Sequence, residues 1–545
     1  MHHPVTFTRL GDFTATRRVL LLSAIAVALG VVGTVLAVVL LDLIALCTNL
    51  FFYHWFSTAT TSPALHQLGA WVIVVPALGG LLVGLLARFG SERIRGHGIP
   101  EAIEAILIRG SRVEPRLALL KPLSAAIAIG SGGPFGAEGP IVMTAGACGS
   151  LVAQFFHLSS AERKTLLVSG AAAGMSAVFA TPLAAVLLAV ELLLFEWKPR
   201  SLVPAALAAT TAAAARRLVL GAGPVFPVSH HSAVVGLAGL GACVIAGLAA
   251  GCLSMLLTRA VYASEDAFER LPLHWMWWPA IAGLAVGFGG WLFPRALGVG
   301  YDTIGALLQG GLPLDSIVGV LLVKSSVWAI ALGSGTSGGV LAPLLMIGGA
   351  LGGLEELVFP GFGAGFWPLV SMAAMLGGTM RTPLTAVVFA LELTHDFDML
   401  LPLLAAVTVA YALTVLTVRR SILTEKIARR GYHLTREYSI DPLEIVFVRE
   451  VMRPPDPHDL PPVGASGHAY PDEPLRAIAY RMAHSGAIRL PVIDPTAGHV
   501  LVGVISLGDL LRGRKHALDA EQRRERVFSL RMALPAWARD RSVGS

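Results

Sequence analysis

The chain repeats itself, and each copy is broken by glycine. GSGGPFGAEGP (130–140) and GSGTSGGVLAP (333–343) stand 203 residues apart, each inside apolar sequence. Lys121 and Lys324 each stand nine residues before the first glycine, and PALGGLLVG (76–84) matches PAIAGLAVG (279–287) at the same offset. ATPLAAVLLAVEL (180–192) then matches RTPLTAVVFALEL (381–393) at an offset of 201. Matches in one order at nearly one offset divide the apolar region into two related halves, about 70–195 and 277–395. Duplicated halves with interrupted helices are a transporter signature, with the substrate site where the breaks meet.

Irregular backbone at membrane depth survives only when buried in protein or lining a polar cavity. Glycine allows the turns a break needs. Pro140 and Pro343 suit the first turn of the helix that follows each break. A helix N-terminus offers unpaired N–H groups and roughly half a positive charge. Two aimed at one place make an anion site without a full cation, which binds and releases. Glu138 lies at one of these termini. Ionised, it would take the anion's seat; protonated, it would leave and open the path. The competing reading is a helix N-cap at the membrane surface. GHGIPEAIEAIL (96–107) is a third turn leading into a helix, with Pro100, Glu101 and Glu104 in its first turns. Its His97 is either an N–H donor to an anion or a loop histidine without special role.

With 55% hydrophobic and 14% charged residues over 545 positions, the chain is an integral membrane protein. Val19–Leu41 is long enough to span a bilayer and is read as a retained helix. Arg9, Arg17 and Arg18 before it place the N-terminus in the cytoplasm. The net charge of +6 is scattered, which argues against nucleic acid as a partner. Cys47, Cys148, Cys243 and Cys252 lie far apart in apolar surroundings, without metal or disulfide spacing. No HExxH or His/Asp cluster supports an enzyme, and neither a metal nor a cofactor is implied.

GHGIPE (96–101), GAEGP (136–140) and GVLAP (339–343) resemble, in order, the GSGIPE, GREGP and GxFxP segments of the ClC chloride channel and proton/chloride exchanger family. The resemblance covers about 18–435. It implies an all-α polytopic fold of two inverted repeats of tilted and broken helices, a homodimer, and one chloride or small-anion pathway per subunit. It implies multiple passes of the inner (plasma) membrane among lipid. It makes Glu138 the external gating glutamate and places His97, Gly98, Ile99, Gly136, Ala137, Gly139, Val340, Leu341 and Leu423 at the anion. Three of these depart from the family: His97 stands for its serine, Leu341 for its phenylalanine and Leu423 for its tyrosine. The family's exchangers carry two adjacent glutamates where this chain has Glu191 and Leu192. Leucine carries no proton, so the expected function is a glutamate-gated chloride channel, with proton-coupled exchange as the alternative. Glu191 and Glu392 recur in both repeats and are read as structural helix ends, with a proton-pathway role for Glu191 as the alternative. Lys121 matches a family lysine; it either biases the pore potential or is a surface or interface lysine.

Composition changes near Arg419–Arg420, which puts the end of the transport domain near 435. Residues 1–17 form the cytoplasmic N-terminus, and 436–467 hold the stub of a motif at VREVM (448–452) and a linker. The linker is drawn over 453–474, which carries seven prolines. Residues 468–513 resemble a cystathionine-β-synthase (CBS) motif, a small α/β cytoplasmic unit: helix 474–485, strand 489–493, turn Thr496–Gly498, strand 500–505, and a helix from about 507. Residues 514–545 form a C-terminal tail that begins as a solvated helix. Ser506 and Asp509 match positions that hold a nucleotide in other CBS domains; the competing reading is a capping box.

Overall fold

The computed structural model describes residues 16–229, 231, 235–432, 442–455, 467–494 and 500–522. Arg9, the turn at Thr496–Gly498 and the tail beyond Gln522 therefore lie outside the described residues. Among those described, seven helices are long and apolar enough to cross a membrane, from Arg18–Tyr53 to Phe397–Arg429. Leu20, Val31 and Val35 on the first, and Leu284, Phe288 and Trp291 on Trp278–Leu292, are exposed. An apolar surface of that extent is a lipid-facing one. The first expected span is the helix Arg18–Thr48, continued by a π turn to Tyr53. Pro115–Gly130 is short and ends on the first glycine of the break. The apolar segment 165–178 belongs to the 20-residue helix Ser160–Phe179. A capping box between Ser159 and Glu162 starts it early and makes it about 30 Å long.

The two halves complete each other. Gly136 and Gly339 exchange backbone hydrogen bonds of 3.2 and 2.8 Å as an antiparallel bridge, the sense a two-fold axis between the breaks requires. Gly96 N donates to Gly335 O at 3.1 Å, and Gly298 N donates to Gly132 O at 3.0 Å. Lys121 Nζ donates to Ile94 O (2.8 Å) and Gly96 O (2.6 Å). Lys324 Nζ donates to Ala296 O (3.0 Å) and Gly298 O (2.6 Å). Both lysines are completely buried, so Lys121 is no surface lysine. Each ammonium holds the turn of its own half, and that turn bonds to the break of the other.

Glu191 and Glu392 cap each other's repeat. Glu191 accepts from Leu384 N (3.2 Å), Thr385 N (2.9 Å) and Thr385 Oγ1 (2.6 Å) at the start of Pro383–Thr394. Glu392 accepts from Leu183 N (3.0 Å) and Ala184 N (2.8 Å) at the start of Pro182–Leu188. Orphan N–H groups at the start of a helix need an acceptor, and here it comes from the other half.

The tail is a hairpin, Arg489–Asp494 against Val500–Ser506, packed with helices Leu475–Ser485 and Leu507–Gln522. Val448, Leu475, Ile478, Met482, Leu490, Val492 and Ile505 form its core. The segment read as a linker is pinned at both described ends. Arg453 pairs with Val504 on one hairpin edge, and Ala469 with Val492 on the other. Proline count alone missed these edges. Leu507–Gln522 also packs against Ser160–Phe179, joining the tail to the membrane region.

Glu392→Ala leaves Leu183 and Ala184 N–H groups without their acceptor at a helix start. The expected cost is about 1–2 kcal/mol, seen as a lower unfolding temperature of the full chain in detergent, while Glu392→Gln loses less. An unchanged unfolding temperature in Glu392→Ala would refute the cross-repeat cap.

Candidate functional site

Three helix starts converge where the breaks meet. Ile99–Leu107 begins after Gly98, Glu138–Gln154 after Ala137, and Leu341–Val358 after Val340. Gly98 has φ +90°, and a Cβ there would lie 2.4 Å from Gly139 O. A Cβ on Gly139 would lie 1.8 Å from His97 O and 3.2 Å from Gly339 Cα. Only hydrogens fit between these backbones, which is why the sequence spends glycine here. His97, Gly98, Ile99, Gly136, Ala137, Gly139, Val340 and Leu341 are all brought to this point and are all buried. Leu423 is buried at the start of Ile422–Arg429, a helix packed beside Ile99–Leu107 and tied to it by Lys426–Glu101 (2.8 Å).

Glu138 occupies the meeting point. It is completely buried, which removes the surface N-cap reading. Its Oε1 accepts from Leu341 N and, at 3.4 Å, from Ala342 N. The acid at the start of one half's helix is thus held by the main chain at the start of the other's. Hydrogen bonds to a charged acceptor contribute about 1.5–3 kcal/mol each, and the dipole of Leu341–Val358 adds to them. Ala342 was not among the expected site residues, although it directly follows two that were. His97 keeps its Nδ1 buried, without a hydrogen-bond partner among the described residues.

Beside the Gly96 turn lies a basin of about 680 Å³ whose lining mixes cations such as Arg95, Lys426 and Arg429 with Glu92, Glu104 and Glu265. The Arg95 guanidinium lies 4.5 Å from the centre of the Trp275 ring, a cation–π contact that keeps its charge in the basin.

A fourth turn escaped the sequence reading. ALGVG (296–300) stands 202 residues after IRGHG (94–98) and leads into the helix Tyr301–Leu308, with Gly300 at φ +81°. Both turns keep the GxG spacing, but the residues after it differ, and only the spacing could have revealed the match.

In the tail, Ser506 N (2.9 Å) and Ser506 Oγ (2.6 Å) donate to Asp509 Oδ2. Arg453 donates to Ser506 Oγ (3.0 Å) and to Asp509 Oδ2 (3.1 Å). Burial pushes the Asp509 carboxyl up, but the hydrogen bonds from Ser506 and Arg453 outweigh it and hold the group below its ordinary value.

A Cβ on Gly136 would stand 1.9 Å from Glu138 Oε2. Gly136→Ala should therefore push the carboxylate off its seat and raise alkaline anion flux about tenfold, equivalent to about 1.4 kcal/mol; flux equal to that of the natural protein would show the seat to be unimportant. For Asp509, a depressed value stabilises the tail above the ordinary carboxyl range, near pH 4, and that stability is lost as pH falls through the lower folded value. Protease sensitivity of the tail in the full chain should rise over that acid window. Asp509→Asn should raise it at neutral pH and flatten the acid dependence.

Comparison with known proteins agrees with this geometry. Residues 79–415 match the family model described as voltage gated chloride channel, and 448–516 match that of the CBS domain, which takes in the VREVM stub. A putative chloride channel protein ClcB-like from Ralstonia nicotianae is 31% identical over 371 residues, covering 66% of this chain and 85% of the relative. The H(+)/Cl(-) exchange transporter ClcA of Citrobacter koseri is 30% identical over 366 residues, covering 63% and 76%. The crystal structure of a slow cyanobacterial Cl-/H+ antiporter superimposes with a TM-score of 0.67 at 22% identity, covering 76% of this chain and 99% of that one, and shows the shared fold. The chain belongs to the ClC family of voltage-gated chloride channels and exchangers, multi-pass membrane proteins of anion transport, and carries a CBS domain behind its transport domain.

Proposed function

We propose that the protein is a chloride channel in which each subunit of a homodimer conducts through its own pathway, gated by Glu138. One observation carries this reading: the Glu138 carboxylate accepts from the amides of Leu341 and Ala342. A chloride ion needs the same donors, so acid and anion compete for one seat. Protonation removes the charge those amides hold, frees the side chain and clears the path. His97, Gly98, Ile99, Gly136, Ala137, Gly139, Val340, Leu341 and Leu423 line this route. With histidine and leucines in place of the family's usual side chains, main-chain amides carry more of the binding.

Passive conduction is preferred over coupling because of Leu192 and Glu191. Leu192 has no titratable group, and the Glu191 carboxylate is engaged by Leu384 and Thr385. Glu191 is accordingly read as a cap and not as a proton carrier. Ser506 and Asp509 are read as a cap closed by Arg453, with no nucleotide. Arg17 and Arg18 place the N-terminus on the cytoplasmic side of the inner (plasma) membrane, and the tail with it. The second reading, proton-coupled chloride exchange, is favoured by the Citrobacter relative named as an exchanger. A gate that takes a proton is also half of an exchange cycle.

Protein reconstituted in liposomes under a chloride gradient separates the two. The channel reading expects chloride flux without uphill proton movement; proton pumping against its gradient establishes exchange instead. In the same vesicles Glu138→Gln should carry anion flux that no longer varies with pH, and retained pH dependence would remove Glu138 from the gate.

A further inference from the structure

Two complementary polar atoms are left over beside the anion seat. Glu138 Oε2 is buried and has no hydrogen-bond partner among the described residues, and neither has the hydroxyl of Tyr301. One is an acceptor lacking a donor; the other is a phenol whose proton lacks an acceptor. Leaving such groups unpaired in a buried site is costly, and each is the natural partner of the other.

The surrounding structure aims Tyr301 at this region. Its turn is tied to the first break by the bond from Gly298 N to Gly132 O (3.0 Å). Gly300 packs on Met346 of Leu341–Val358, the helix that receives Glu138: a Cβ there would lie 2.7 Å from the Met346 sulfur. The phenol ring is held edge-on by Phe179 (centroids 6.4 Å apart) and Phe226 (6.0 Å). The charged groups at the turn are otherwise committed. Lys324 holds Ala296 O and Gly298 O, and Asp302 accepts from Ser62 Oγ at 2.9 Å. Glu138 lies near enough for its charge to act on the phenol. The His97 and Tyr301 turns are the two copies of one element, each bonded to the break of the other half, Gly96 N to Gly335 O and Gly298 N to Gly132 O. A carboxyl displaced from Leu341 and Ala342 moves towards Tyr301.

We propose that the Tyr301 hydroxyl donates the hydrogen bond that receives the Glu138 carboxyl when it leaves Leu341 and Ala342, which makes Tyr301 a positioning residue of the gate. The proposal rests on the reading of Glu138 as the gate. A donor at the outward position stabilises the open arrangement whether the carboxyl is ionised or protonated, more strongly when it is ionised. The phenol therefore sets how much acid is needed to open the path.

Tyr301→Phe keeps the ring against Phe179 and Phe226 and removes the donor. In liposomes carrying the full chain, the pH midpoint of chloride flux should move about one unit towards acid, the scale of one hydrogen bond, and residual alkaline flux should fall. An unchanged profile overturns the proposal. Replacing Tyr301 by 3-fluorotyrosine, a stronger donor of nearly the same shape, should move the midpoint the opposite way, and this decides the matter if Tyr301→Phe does not fold; no movement overturns the proposal. Glu138→Gln separates the two layers. If its flux still follows pH, the gate reading fails whatever Tyr301 does. If its flux is flat and Tyr301→Phe in the natural background leaves the midpoint in place, only the Tyr301 proposal fails.

Discussion

A carboxylate from one half of the molecule, held by main-chain N–H groups of the other, is the contact on which the rest depends. Glu138 is completely buried, and burying an unpaired carboxylate is prohibitive. The start of Leu341–Val358 offsets that cost with oriented amides and the end of a helix dipole, and among the described residues no full cation bonds to the carboxylate. This matters for transport. A lysine in the same place would bind an anion too strongly to let it go. In the proposed channel, amide dipoles give a seat that a carboxylate fills and a chloride can claim. The two lysines that do lie nearby are spent on backbone carbonyls, Lys121 at Gly96 and Lys324 at Gly298. Their charge sets the shape of the turns and leaves the anion seat to the amides.

The repeat explains how such irregular backbone is stable in hydrocarbon. Each unsatisfied polar group in a membrane costs several kcal/mol, and a broken helix has many. Here the partners are traded between halves: Gly136 with Gly339, Gly96 with Gly335, Gly298 with Gly132, Glu191 with the start of Pro383–Thr394, Glu392 with the start of Pro182–Leu188. Each half satisfies part of its own break, as Gly133 N does with Ala128 O, and the other half supplies the rest. The anion seat is thus a consequence of the same exchange of partners that makes the fold possible.

Much of this was legible in the sequence, for definite reasons. Glycine and proline punctuate the breaks whatever surrounds them, so the stretches 130–140 and 333–343 and their offset could be read directly. The lone acid in apolar sequence marked Glu138. What stayed hidden were partners far along the chain. Lys121 is ambiguous in sequence because backbone carbonyls, its acceptors, leave no trace in residue identity. Glu191 finds its amides 193 and 194 residues away. The turn at 298–300 kept only its two glycines, while His97 became Val299 and Ile99 became Tyr301. In the tail, Arg453 and Ala469 pair through their backbones, which a run of prolines disguises as a linker.

Departures from symmetry carry the function. At an offset of 203 the counterpart of Glu138 is Leu341, the very residue whose N–H holds it. A perfectly repeated site would set two carboxylates at one point, where like charges cannot both remain ionised. It would also leave no apolar first residue to present a free amide. One acid and one leucine at equivalent positions turn a symmetric scaffold into a directed seat, with donor on one half and competitor on the other. The turns flanking it differ in the same way. His97 and Ile99 are buried in one turn, while Val299 and Tyr301, whose phenol has no hydrogen-bond partner among the described residues, take their places in the other. The two turns therefore carry different chemistry on one repeated element.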